Sequence, residues 1–196
     1  MTATSASGGY LTPAAAPLTQ DQLVAALHGA VSGITGLAAG LIRPRWQPKP
    51  PKQPDHDVTW CSLGVAGRAM PGSPAMIHDG AGEGATTAIA WERLRVLVSV
   101  YGPDAQDTVQ RLIAGLGVAQ NRDQLRQAGL AYVSAGDPLT VPELINTLWV
   151  QRVDLELIFD HEARRTYPVR NLLCGSATIE TDTGLAAQST PTEEGA

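Results

Sequence analysis

The chain has 196 residues, enough for one domain with a substantial core and too few for two complete ones. Hydrophobic residues make up 43% and charged residues 17%, which excludes a disordered, charge-driven chain; 20 glycines and 14 prolines against four Trp, four Tyr and one Phe imply many turns around a modest core. The net charge of −5 argues against specific binding of nucleic acid, because broad phosphate neutralisation needs a basic face.

Residues 1–18 are small, polar and broken by proline, and read as a flexible N-terminal arm. Thr19 and Gln22 form the Thr-x-x-Gln pattern of a capping box, which opens a helix. Val24, Leu27, Val31 and Ile34 then recur at helical spacing, and the helix is expected to fray near Gly33 to Gly36. The uncharged run from Leu23 to Ile42 has the length of a membrane span, but His28, Ser32, Thr35 and four glycines interrupt it. The start from Met1 to Gln20 also lacks the basic residues of a signal peptide. From Arg43 to Asp57 the chain carries five prolines between Pro44 and Pro54, the composition of a stiff, extended connector.

Val58 to Val65 reads as a strand, with a loop through Asp79 after it. From Thr86 to Tyr101 the alternation of Leu94, Val96, Val98 and Val100 marks the best strand in the sequence. Gly102-Pro103-Asp104 ends it and opens a helix whose stripe is Val109, Leu112, Ile113 and Leu116. A short helix is expected from Asn121 as cap to Gly129, followed by a short strand over Leu130 to Val133. Val153, Leu155, Leu157 and Phe159 define a second half-buried strand, and Leu172 to Ile179 a last candidate. Residues 19–183 read as a single α/β domain of the α+β kind, with residues 184–196 a flexible C-terminal tail.

Catalytic signals are weak. Gly80, Gly82 and Ala85 match the spacing of a dinucleotide-binding turn, but a strand follows them where that motif needs a helix, so a glycine-rich turn between strands is expected. His56, His78 and His161 each sit beside an acid without a second ligand at metal spacing, and read as solvated turn residues. Cys61 and Cys174 form no CxxC pair and read as buried, reduced thiols of a protein made in the cytosol. No cofactor or metal site is expected. A small cytosolic enzyme using His78, Asp79 and Cys61 is the rival from another class, and it lacks a motif.

Two features suit docking. Arg43, Arg45 and Trp46 stand on a proline-stiffened backbone that loses little entropy on binding, and Arg and Trp are frequent interface anchors; Trp46 could equally cover the edge of this chain's own core. Asn146, Trp149 and Arg152 stand three apart before the last long strand; they share a face if helical and not if extended, and a packed Trp149 with an intrachain ion pair for Arg152 is the alternative.

The segments LIRPRWQPKPPKQPDHDVTWCSLGV, HDGAGEG, WERLRVLVSVYGPDAQDTVQRL and INTLWVQRVDLELIF, in this order over about Leu41 to Thr183, resemble the neck or tail-terminator family of long-tailed bacteriophages. The resemblance implies a central, mostly antiparallel or mixed sheet flanked by two or three helices, with extended N- and C-terminal arms. It implies a non-enzymatic virion protein, assembled in the host cytoplasm, that forms a homo-oligomeric ring, a hexamer, on the tail tube. Its partners would be the tail tube protein, a sheath protein where one exists, and the head connector or stopper. Genomic DNA would pass through the lumen without specific binding, and no membrane is involved. The candidate interface residues are then Arg43, Arg45, Trp46, Trp149 and Arg152, and a head-side stopper or connector ring is the structural alternative.

Overall fold

A computed structural model of the chain describes residues 3–14, 17–145, 147–172, 177–179 and 187–189. Helix α1 runs from Gln20 to Thr35. Its capping box is complete: the Gln22 amide donates to the Thr19 hydroxyl, and the Thr19 amide donates to the Gln22 side chain at 2.9 Å. The helix stops cleanly at Gly36, which takes the left-handed conformation at φ 78°. Its buried stripe is Leu23, Leu27, Val31 and Thr35; Val24 and Ile34 lie at the margin of the core. No helix among the described residues is long and apolar enough to cross a membrane.

The remaining elements follow as β1 (Ile42–Pro44), β2 (Trp60–Ala69), β3 (Ala75–Asp79), β4 (Ala85–Tyr101), α2 (Ala105–Leu116) and α3 (Ala119–Gln127). After them come β5 (Leu130–Ala135), β6 (Leu139–Thr140), β7 (Glu143–Ile145), β8 (Leu148–Val150), β9 (Arg152–Tyr167), β10 (Ala177–Ile179) and β11 (Ala187–Ser189). The expected α+β class holds, with a mixed sheet and three helices. Seven strands form the main sheet along the path β1-β2-β4-β9-β5, with β3 joined to the far half of β4 and β6 to the near end of β9. Only β1 and β2 run parallel. The pairs β7–β8 and β10–β11 are separate antiparallel hairpins.

Long alternating runs explain the centre of the sheet. Strands β4 and β9 pair without a break from Thr86↔Tyr167 to Tyr101↔Arg152. Every second residue of each faces the helices, so Leu94, Val96, Val98 and Val100 meet Val153, Leu155, Leu157 and Phe159 beneath α1, α2 and α3. Each of these fully buried side chains contributes roughly 2 kcal/mol by leaving water. The β4–β9 ribbon, about 55 Å long at the usual rise per residue, outruns the helices.

Beyond them its distal half carries β3 on one side, and the N-terminal segment on the other, where the Ala14 amide donates to Thr166 O at 2.7 Å. At the ribbon's tip Asn171 plugs the β3–β4 turn. Its Nδ2 donates to Gly80 O and Gly82 O, and its Oδ1 accepts from His78 Nε2. Ser5 joins the same tip by accepting from the Arg170 amide at 2.7 Å.

Several expectations are corrected. The span up to Asp79 is not all loop, since β2 continues to Ala69 and β3 occupies Ala75–Asp79. Asn121 does not cap α3, which starts at Ala119 after Val118; the Asn121 side chain instead donates to Gly115 O at 2.9 Å and closes the α2–α3 junction. The stretch before β9 is the β7–β8 hairpin, so it is extended. His78 and His161 lie in strands, not in solvated turns, and His161 is only 2% exposed, with Nδ1–H donating to Gly129 O at 2.8 Å. The glycine-rich stretch is the expected turn between strands, β3 and β4. The proposed tail over 184–196, outside β11, lies outside the described residues, as do Asn146, Cys174 and most of the strand candidate before β10.

Gly102 marks where β4 must turn into α2. Its φ is 104°, and a Cβ there would sit 2.6 Å from Val58 O. Gly102→Ala should therefore destabilise the fold by about 1–3 kcal/mol, read as a lowered denaturation midpoint, whereas Gly72→Ala, in open space, should change it little.

Candidate functional site

The sheet face away from the helices carries Arg43, Arg45 and Arg152 of the sequence-nominated residues, because β1, β2, β4 and β9 each present alternate side chains there. A row crosses this face at the end where β9 begins. Trp60 and Tyr101 are direct cross-strand partners and stack at 4.3 Å between centroids and 6° between planes. Arg43 lies 5.5 Å from the Trp60 centroid, and Arg152, opposite Tyr101 on β9, lies 5.6 Å from the Tyr101 centroid. A stacked ring pair is thus flanked by two guanidiniums. Val150, Leu41 and Ile145 close over the rings and form a second small core.

A polar network adjoins this row. Arg152 binds Asp154 through two parallel bonds of 2.8 Å each and reaches Glu143 at 3.2 Å. Ser99, fully buried, donates to Asp154 and accepts from Arg45, so Arg45 is linked through a hydroxyl to the carboxylate that Arg152 binds directly. Burial alone would push the Asp154 carboxyl up. The hydrogen bonds from Arg152 and Ser99, with the charges of Arg152 and Arg45, outweigh it and hold the carboxyl below its usual range. The network borders a cavity of about 270 Å³ whose other polar walls are Asp137 and Glu156.

Trp46 stands apart from this cluster. It adopts a left-handed backbone at φ 57°, unusual for a bulky residue, and remains 65% exposed at the β1–β2 edge. Gly64 makes this possible: a Cβ on residue 64 would lie 2.8 Å from the Trp46 ring. Trp149 is also left open, at 73% exposure, beside Leu144, its partner across the β7–β8 hairpin. The intrachain ion pair for Arg152 is therefore present, while Trp149 is not packed inside. Sequence reasoning missed Trp60, Tyr101, Ser99 and Asp154; only the Trp60↔Tyr101↔Arg152 register, which needs both strand pairings, connects them.

The fold does not bring the residues of the rival catalytic reading together. Cys61 is fully buried on the helix side of β2, and that burial raises its thiol to about 12, so it is not a nucleophile near neutral pH. It pairs with Val100 while His78 pairs with Thr86, which separates them by about 45 Å along β4. The His78, Asp79 and Cys61 cleft does not exist. Among the described residues no group of His, Cys, Asp and Glu side chains has the geometry to hold a metal ion.

Two predictions follow from this geometry. Gly64→Ala should displace the Trp46 ring and shift the exposed-tryptophan emission, and Trp46→Gly in the same background should relieve the accompanying loss of stability. For Asp154 the folded pKa lies below the unfolded one, so its pairing stabilises the fold above about pH 4 and loses that effect as pH falls through the lower folded value. Asp154→Asn should flatten this acid limb in denaturation measured between about pH 7 and pH 3; an unchanged limb would contradict the assignment.

Comparison with curated proteins finds no significant match. The family model of the phage neck terminator protein matches residues 21–184, most of the chain and every element from α1 to β10. The chain therefore belongs to the phage neck terminator family and is a structural protein of the phage neck, carried in the virion.

Proposed function

We propose that the protein is a tail terminator whose copies form a ring, a hexamer, that caps the tail tube and presents a docking surface to the head connector. Beyond the family itself, one observation carries this reading: among the described residues, eight of the thirteen exposed large hydrophobic side chains fall into two groups separated along the β4–β9 ribbon. Leu139, Leu144, Leu148 and Trp149 lie at the end where β9 begins, and Met70, Met76, Ile77 and Trp91 lie on its distal half. The two groups stand about 30 Å apart along the strands. A subunit held between two different partners needs two such patches, and patches of this kind mark protein contacts.

Charge supports the same reading. Along β9 the open sheet face carries Asp154, Glu156, Asp160 and Glu162, each paired to an arginine (Arg152, Arg95, Arg93 and Arg164), so the acidic balance is a property of the whole chain and not of this face. Six copies of a chain with net charge −5 would surround passing DNA with like charge. Contact with the DNA is then weak, as transit requires. In this reading Trp46, Trp149 and the Arg43, Arg45 and Arg152 cluster belong to the contact surfaces.

Capping of isolated tail tubes, viewed by negative stain, tests the reading directly. A protein that stays monomeric at high concentration and also leaves tubes uncapped would overturn it. Binding to tail-less heads alone would replace it by a head-side stopper. Trp149→Ala should weaken attachment about 30-fold, the size of a 2 kcal/mol interface anchor, with the folded state unchanged.

A further inference from the structure

We infer that neighbouring copies join through their sheets, strand β3 of one copy pairing antiparallel with strand β5 of the next; this rests on the ring proposed above. The observation is the pair of open edges. Strands β3 and β5 are outermost on opposite sides of the β4–β9 ribbon, and among the described residues no backbone hydrogen bond from outside the sheet reaches either. Two other edges carry added contacts: His28 Nε2 donates to Ile42 O at 3.1 Å beside β1, and the Ala14 amide donates to Thr166 O on distal β9.

The two open edges complement each other. Each neighbour along β3-β4-β9-β5 is antiparallel to the last, so β3 and β5 run in opposite directions. A copy displaced sideways therefore brings its β5 against β3 in the sense that continues the alternation. Lengths also match, at five residues for β3 and six for β5.

Both edges are lightly protected: β3 contains no Lys and no Pro and carries only the terminal charge of Asp79, and β5 contains no charged residue and a single bulge. All of β3 is exposed, with Met76 and Ile77 more than half open. On β5, Val133 is 44% exposed at the one irregularity, where the register to β9 shifts between Tyr132 and Ser134. That bulge divides the regular pairing of the strand into Leu130–Tyr132 and Ser134–Ala135.

The contact is heterologous, since one surface meets a different one, and such contacts build closed rings when the rotation permits. Strand spacing gives the step. Four intervals from β3 to the next β3 span about 19 Å across the strands. Along them, β3 sits opposite Ala85–Ile89, whereas β5 sits beside the β9 residues that pair with Glu92–Val96, an offset of about 24 Å. The combined step is about 30 Å, and six such steps close a hexagon of about 30 Å radius.

Engineered disulfides in the full-length protein test the pairing. Ile77→Cys and Val133→Cys are combined in a Cys174→Ser background, with Cys61 left in its buried position. Mild oxidation should give a ladder of covalently linked copies ending at the ring, seen after denaturing electrophoresis, while each single-cysteine variant stays unlinked. Ile77→Lys should abolish ring formation by native mass measurement while keeping the wild-type circular dichroism and melting transition. A wild-type ring with no ladder in the double variant would overturn the edge pairing and leave the ring itself standing. Linkage in a single-cysteine variant would show a like-to-like contact and overturn it as well. Absence of any ring, on tubes or alone, would overturn the proposed function and this inference together.

Discussion

The uninterrupted pairing of β4 with β9 is the constraint on which the rest of the molecule depends. Its register determines which side chains lie under the helices, and a slip by one residue would exchange Leu94, Val96 and Val98 for Arg93, Arg95 and Leu97 in the core. The apolar face is closed by α1, α2 and α3 over only part of the ribbon's length. What lies beyond the helices must find other partners. On that side Glu92 is buried between Arg68 and Arg165, at 3.1 Å and 3.4 Å, which extends the sheet's inner face in ionic rather than apolar form.

The same register assembles the proposed interaction surface. Arg43, Trp60, Tyr101 and Arg152 come from four strands and touch only because those strands are neighbours at one level. Aromatic scarcity makes this arrangement notable in composition: two of the chain's four tryptophans are left open to solvent as Trp46 and Trp149, a third is the half-open Trp91, and Trp60 alone is enclosed. Such a distribution spends little aromatic area on the chain's own core and leaves it available for partners.

Legibility in the sequence followed the physical range of each signal. The α1 start was readable because a capping box is contained within four residues, and β4 and β9 were readable because alternation persists along them. Strand β1 was hidden by Pro44, and β3 by exposure on both faces, which removes the alternation that burial imposes. Asn121 carried a cap's chemistry, but tertiary demand took its side chain to the Gly115 carbonyl. The ring stack with its flanking arginines joins residues from 43 to 152, and no local pattern encodes a contact across that distance. Exposure of Trp149 was equally unreadable, since the hairpin that carries it is short and its apolar residues resemble core.

The clasp at the ribbon's tip has a kinetic meaning. Ser5 meets Arg170 across 165 positions, and Asn171 reaches back 91 positions to Gly80, whereas the β3–β4 turn it fills is local. Closing loops of that length costs chain entropy before the contact returns any energy, so these bonds form after the β4–β9 ribbon has brought the segments together. The tip is therefore shaped by the ribbon and not by its own local sequence, so a change that loosens the far end of β9 releases both contacts of the clasp at once.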